Sequence, residues 1–236
     1  MITQHRHEHA SDLATELAET VAHALSGAIS KRGQAFLAVS GGRSPVSVFE
    51  SLSQMSLDWE KVTVTLVDER CVEPGSADSN AHLVRQHLLQ NAASAAHFVP
   101  WIEEADWLEH SQQPVQLETI CEERLNTLSW PLDVVLLGMG TDGHTASIFP
   151  FSKGSQRAVN SQACCALVHP ASAPHDRLSL TLPRILESTC IYLQFSGKDK
   201  QKVFETARVQ VNPAYPVSHV LCQSQRNVQV WIGEQA

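Results

Sequence analysis

Four short apolar runs constrain this chain more than any other feature. Ala35–Val39, Val62–Val67, Val134–Leu137 and Ile191–Phe195 each read as a buried strand, and each empties into a polar cluster, at 40–45, 68–70, 138–144 and 196–200. Between them apolar residues recur at helical spacing. Leu13, Leu17, Val21 and Leu25 define a helix from about 9 to 31, with Ser11 as its N-cap and Gly33 as its stop. Further helices are expected from Pro45, from Ser79 to about 90, over 115–128 and over 199–207. Ala163–His169, Leu178–Leu182 and Val228–Ile232 are additional strand candidates. Strands alternating with helices predict an α/β fold, a mostly parallel sheet with helices on both faces. In such a sheet the carboxyl ends of the strands share one edge, so the four polar clusters can converge there.

With no repeat and no linker composition, residues 1–236 are expected to form a single α/β domain. The hydrophobic fraction of 43% supplies a core, and 18% charged residues argue against disorder. A net charge of −8 argues against a nucleic-acid surface, although local arginines and lysines can still gather an anionic small molecule. No apolar stretch approaches a membrane span, and MITQHRHEHASD lacks the apolar centre of a signal peptide. Six cysteines without a C-x-x-C pair fit a reducing cytoplasm. The alternating His5, His7 and His9 suggest a chelate, but a frayed polar terminus is the preferred reading, and no metal site is expected. The stretch 97–113 is poorly patterned and expected at the periphery, with Trp101, Trp107 and Trp130 serving packing.

The segment Leu132–Pro150 carries the sharpest choice. Gly138, Gly140 and Gly143 spell G-x-G-x-x-G, the turn of a dinucleotide cradle. That motif should open a helix and be followed by an acid about 20 residues on. Here Pro150 intervenes, and no Asp or Glu occurs between Asp142 and Asp176. The other reading is a turn that projects His144, an imidazole able to take a proton from water and return it to a leaving group. Asp142 is left with three roles: orienting the ring, binding a substrate hydroxyl, or bonding the turn's own amides.

The remaining clusters supply groups for an anion. Ser40-Gly41-Gly42-Arg43-Ser44 is a strand-to-helix turn whose amides suit a phosphate, or else an ordinary glycine-rich connection. It lacks the lysine and spacing of a P-loop. Asp68-Glu69-Arg70 offers a guanidinium fork or a surface ion-pair cluster. Lys198 and Lys200 follow another strand, and Arg177 follows a proline-bounded loop. Together these cations suggest a phosphorylated substrate.

In chain order, SGGRSP (40–45), DERCVEPGSADSN (68–80), GMGTDGHTASIFP (138–150), RLSLTLP (177–183) and SGKDK (196–200) resemble the segments of the 6-phosphogluconolactonases, relatives of the glucosamine-6-phosphate isomerases/deaminases. The resemblance implies a Rossmann-like, doubly wound fold. It implies hydrolysis of 6-phospho-D-glucono-1,5-lactone to 6-phosphogluconate, in the oxidative pentose phosphate pathway and without a cofactor. His144 maps to the catalytic histidine, with Asp142 beside it. Gly41, Gly42, Arg43 and Ser44 map to the phosphate loop, with Asp68, Arg70, Arg177 and Lys198 as further substrate contacts. Arg43 stands where the family commonly has serine. The implied chemistry needs one general base and a stabilised oxyanion, the latter from Arg70 or from backbone amides of 140–144.

The implied partner is a phosphorylated sugar lactone, and the chain is expected as a monomer or weak homodimer. One alternative is a glucosamine-6-phosphate deaminase or isomerase. Those enzymes follow D-G-H with an acid, as in D-G-H-I-A-F-N-E, and that place here falls on Phe149. The other is a non-catalytic sugar-phosphate sensor.

Overall fold

The computed structural model describes residues 1–234 and places ten strands among them. In chain order these are β1 (Ile2–His7), β2 (Ala35–Val39), β3 (Val62–Leu66), β4 (Asp68–Arg70), β5 (His97–Phe98), β6 (Val134–Gly138), β7 (Cys165–Val168), β8 (Arg177–Leu180), β9 (Cys190–Ser196) and β10 (Val228–Gly233). The main sheet has seven strands in the order β1-β10-β9-β6-β2-β3-β5, and every pairing in it is parallel. The four apolar runs are thus four adjacent strands. β2 is buried along its whole length, which is why the run shows no alternation. From β2 the chain moves outward through β3 to β5; from β6 it moves the other way through β9 to β10. Right-handed crossovers in opposite directions put the connecting helices on opposite faces.

The first helix, Ala10–Arg32, ends where Gly33 turns to φ 77° and donates its N–H to the Ile29 carbonyl. Its N-cap is His9 rather than Ser11, whose hydroxyl bonds Asp12 inside the first turn. Ser79 caps the helix Asn80–His87 by accepting the His82 N–H, as its position suggests. The terminus does not fray. Residues 2–7 pair with β10 at the far end of the chain, with His5 opposite Trp231. His5 and His7 stack on that indole with ring centres 4.1 and 5.6 Å away. Their alternation is a strand's period of two, which puts both imidazoles on one face. The patternless stretch at 97–113 contributes β5, and Trp101 beyond it is fully buried, donating to the Thr65 hydroxyl at 3.1 Å. It is therefore part of the core's edge as well as the periphery.

A second sheet, antiparallel, has the order β4-β8-β7. It claims three stretches that the chain's alternation assigns to the main sheet or its loops. Val67 joins the two: its N–H donates to Val39 in the main sheet, and its carbonyl accepts from Leu180 in the small one. The outer edge of β7 is covered by carboxylates of the helix Pro114–Leu125. Glu122 accepts the Cys164 and Cys165 amides, each at 2.9 Å, and Glu118 accepts that of Leu167 at 2.8 Å. An edge strand so capped offers no free ladder to another chain. No helix among the described residues is long and apolar enough to cross a membrane.

Candidate active site

β2 and β6 are neighbours from which the chain departs in opposite directions, and a crevice opens beyond their carboxyl ends. It is a cleft of about 270 Å³. The main sheet contributes residues 40–45, 136–140, His144, Gln194 and Lys200 to its wall; the small sheet and its flanks contribute Asp68, Arg70, Asn80 and Arg177.

The turn after β6 is built around the histidine. Gly140 donates to the His144 carbonyl at 2.9 Å and accepts from Gly143 at 3.1 Å. A Cβ on Gly140 would fall on the imidazole, and Gly143, at φ 79°, packs against Tyr215. Asp142 Oδ1 accepts both the His144 backbone N–H at 3.1 Å and the ring Nδ1–H at 2.6 Å. It therefore orients the ring and bonds the turn at once, leaving Nε2 as the free nitrogen. Burial opposes ionisation of Asp142, but its bonds to His144 and that ring's charge outweigh it and hold the carboxyl below its ordinary range. The ring of Phe149 lies 4.4 Å from the imidazole, tilted by 30°. The His144 side chain is 32% exposed, open to the cleft and braced on its other sides.

These glycines serve the turn itself. The amides of Gly140, Gly143 and His144 all have partners within it, so none of the three is free for a ligand oxyanion.

Gly42, at φ 98°, shapes the loop after β2, and the Asn80 amide lies where a Cβ on Gly41 would stand. Gln194 sits opposite Gly138 in the sheet, and its Nε2 donates to the Ser44 carbonyl at 2.9 Å. Arg43 and Lys200 share this wall. Burial and the charge of Arg43 pull the Lys200 ammonium below its ordinary range.

Arg70 and Arg177 face each other directly across β4 and β8. Arg70 donates to the Asp78 carbonyl and Arg177 to that of Pro174, yet each Nε is buried without a partner. Burial, then the charge of Arg70, lowers the Arg177 guanidinium. Glu69, the residue before Arg70, points the other way. Its carboxylate takes the amides of Arg70, Asn80 and Ala81 and the Ser79 hydroxyl, at 2.7–3.0 Å. Burial pushes its pKa up and these bonds oppose that. Glu69 thereby seats Asn80, whose Nδ2 donates to the Asp68 carbonyl at 2.7 Å.

The structure brings Gly41, Gly42, Arg43, Ser44, Asp68, Arg70, His144 and Arg177 to one cleft, with Asp142 directly behind His144. Lys198 is not among them. It is exposed at the start of the helix Lys198–Ala207, and the lysine two positions on lines the cleft instead. A helix turns its residues by about 100° each, so lysines two positions apart face different sides. The segment 68–70 is a strand, not a loop, because it pairs with β8. Asn80, Ser147 and Gln194 line the cleft without having been singled out. For Gln194 a signal exists: it is a polar residue inside an otherwise apolar strand.

A family model described as glucosamine-6-phosphate isomerases/6-phosphogluconolactonase matches residues 8–231. The 6-phosphogluconolactonase of Neisseria meningitidis is 42% identical over 236 residues, covering 99% of this chain and 100% of that one. That of Mesorhizobium japonicum is 46% identical over 221 residues, covering 93% and 90%. The crystal structure of a 6-phosphogluconolactonase from Shewanella baltica superposes with a TM-score of 0.92 at 38% identity, covering 99% and 98%.

Proposed function

The chain belongs to the glucosamine-6-phosphate isomerase/6-phosphogluconolactonase family, and from that premise we propose that its cleft hydrolyses 6-phospho-D-glucono-1,5-lactone to 6-phosphogluconate, with His144 as the general base. The observation that carries this reading is the Asp142–His144 pair, its Nε2 free on a cleft walled by two pairs of cations. A lactone is an activated ester, so water needs only deprotonation and a stabilised oxyanion. His144 Nε2 takes the proton from the attacking water and returns it to the departing ring oxygen. Asp142 holds the ring in the tautomer this requires.

The two cation pairs divide the work. Gly41, Gly42, Arg43 and Ser44, with Lys200, hold the phosphate. Arg70 and Arg177 face the lactone carbonyl, where their guanidinium charge stabilises the developing oxyanion. The guanidiniums are preferred over the backbone amides because the amides of Gly140, Gly143 and His144 are already bonded within the turn. Asp68 accepts a sugar hydroxyl. Six free thiols support a cytoplasmic enzyme, and one continuous buried cluster drawing on both sheets supports a single domain.

Phe149 argues against amino-sugar chemistry, because an apolar ring packs on the imidazole where a deaminase has an acid. The test is a parallel assay on fresh lactone and on glucosamine-6-phosphate, with spontaneous lactone decay subtracted. Enzyme-dependent lactone hydrolysis without ammonia release is expected. Ammonia from the amino sugar would reverse the reading, and binding without acceleration would make the chain a sensor.

A further inference from the structure

Ser147 lies between His144 and Phe149 in sequence, yet its hydrogen bonds reach into the other half of the site. Its hydroxyl donates to Asp68 Oδ2 at 2.5 Å. Its own N–H donates to the Ser179 hydroxyl at 3.1 Å, and that hydroxyl donates to the Leu180 carbonyl. Ser179 is the residue directly opposite Asp68 across β4 and β8. One serine thus bridges both members of a cross-strand pair and ties the histidine's loop to the small sheet.

Asp68 needs such a partner. The residue is 7% exposed, and among the described residues Ser147 is the only hydrogen-bond donor to its carboxylate. Arg70 and Arg177 flank it without forming an ion pair with it, although its charge acts on Arg177. A buried carboxylate with one donor has its orientation set by that donor, and losing it leaves the group both mobile and unsatisfied. With Oδ2 occupied, Oδ1 is left to accept from a ligand.

We infer that Ser147 is a positioning residue, whose hydroxyl locks the Asp68 carboxylate so that Oδ1 meets a hydroxyl of the sugar lactone. The assignment rests on the lactonase reading. It makes binding of the polyhydroxy part of the substrate depend on a residue of the base-carrying loop.

A double-mutant cycle on the full chain tests it, read as KM and kcat for 6-phosphogluconolactone with melting temperature alongside. Ser147→Ala is expected to raise KM about tenfold, the size of one hydrogen bond to a charged group, with kcat little changed. Asp68→Ala should raise KM comparably or more, and adding Ser147→Ala to it should change KM no further. Independent effects that multiply would overturn the inference, since they would mean Ser147 acts through packing alone. Ser147→Thr keeps the hydroxyl in a site only 1% exposed, so it should lose melting temperature while holding KM near wild type. A threonine variant with the alanine variant's KM would also overturn it. Absence of lactonase activity in the unaltered chain would overturn the lactonase reading itself, a result distinct from either.

Discussion

The two halves of the cleft are built on opposite principles. In the turn after β6 the polar groups close on one another within a few residues: Gly140 with Gly143 and His144, and Asp142 with both nitrogens it can reach on His144. On the small sheet two guanidiniums face each other with an unpaired Nε apiece, and the sheet forms only when strands some 110 residues apart in sequence pair. The turn is complete without a ligand and serves chiefly to aim one nitrogen. The arginine pair holds two like charges close together, an arrangement an anion would relieve. On the proposed reading the turn supplies the base and the arginine pair the positive field that ester hydrolysis asks for.

The comparison can be broken most decisively at the base. His144→Ala should lower kcat about 10²–10⁴-fold while the melting temperature stays near wild type, because the ring is partly exposed and its loss leaves the turn's backbone bonds in place. Near-normal turnover would remove the base from the mechanism.

At the other half the sign of the stability effect should differ. Arg177→Met is expected to cost about 10–100-fold in kcat/KM, yet to leave the melting temperature unchanged or raised. The substitution removes a buried cation that faces another, and replacing buried charge by apolar volume is often neutral or stabilising. A large fall in melting temperature would show that the arginine pair supports the fold rather than burdening it.

Within the phosphate wall, Lys200→Ala should raise KM about tenfold with kcat retained, whereas Lys198→Ala should stay within about twofold. Equal effects would place both ammonium groups on the substrate. The smallest effect belongs to a region that touches no substrate. Burial works against ionisation of Glu122, but the amides of Cys164 and Cys165 more than offset it and hold its pKa down. Its stabilising contribution is therefore full above the ordinary carboxylate range and fades as pH falls through the lowered value. Glu122→Gln should lose about 1 kcal/mol or less at neutral pH and show a shallower acid dependence in denaturant unfolding. An unchanged acid limb would mean that the carboxylate's charge adds nothing to the cap.

Much of the candidate site is legible in the sequence, and the legible parts share a property. Strands buried on both faces must be apolar throughout, so 35–39, 62–67, 134–137 and 191–195 declare themselves, and their order places the clusters at one edge. His144 and Asp142 are two residues apart, and their bond needs nothing but the turn between them. The glycine spelling that suggests a nucleotide is explained by the same turn. What misled was everything settled by distant pairing. The His-rich terminus is an edge strand only because β10 returns to meet it after more than 200 residues. Lys200 rather than Lys198 reaches the cleft because of where one helix begins.

The sequence by itself determined the kinds of element and the pairing of Asp142 with His144, because those depend on local periodicity and on bonds closed within a single turn. Tertiary structure alone decided that residues 68–70 join a second sheet, that Arg70 faces Arg177, and that Ser147 holds Asp68. Those contacts require segments far apart in the chain to be brought into one register, and register belongs to the pair of strands, not to either one.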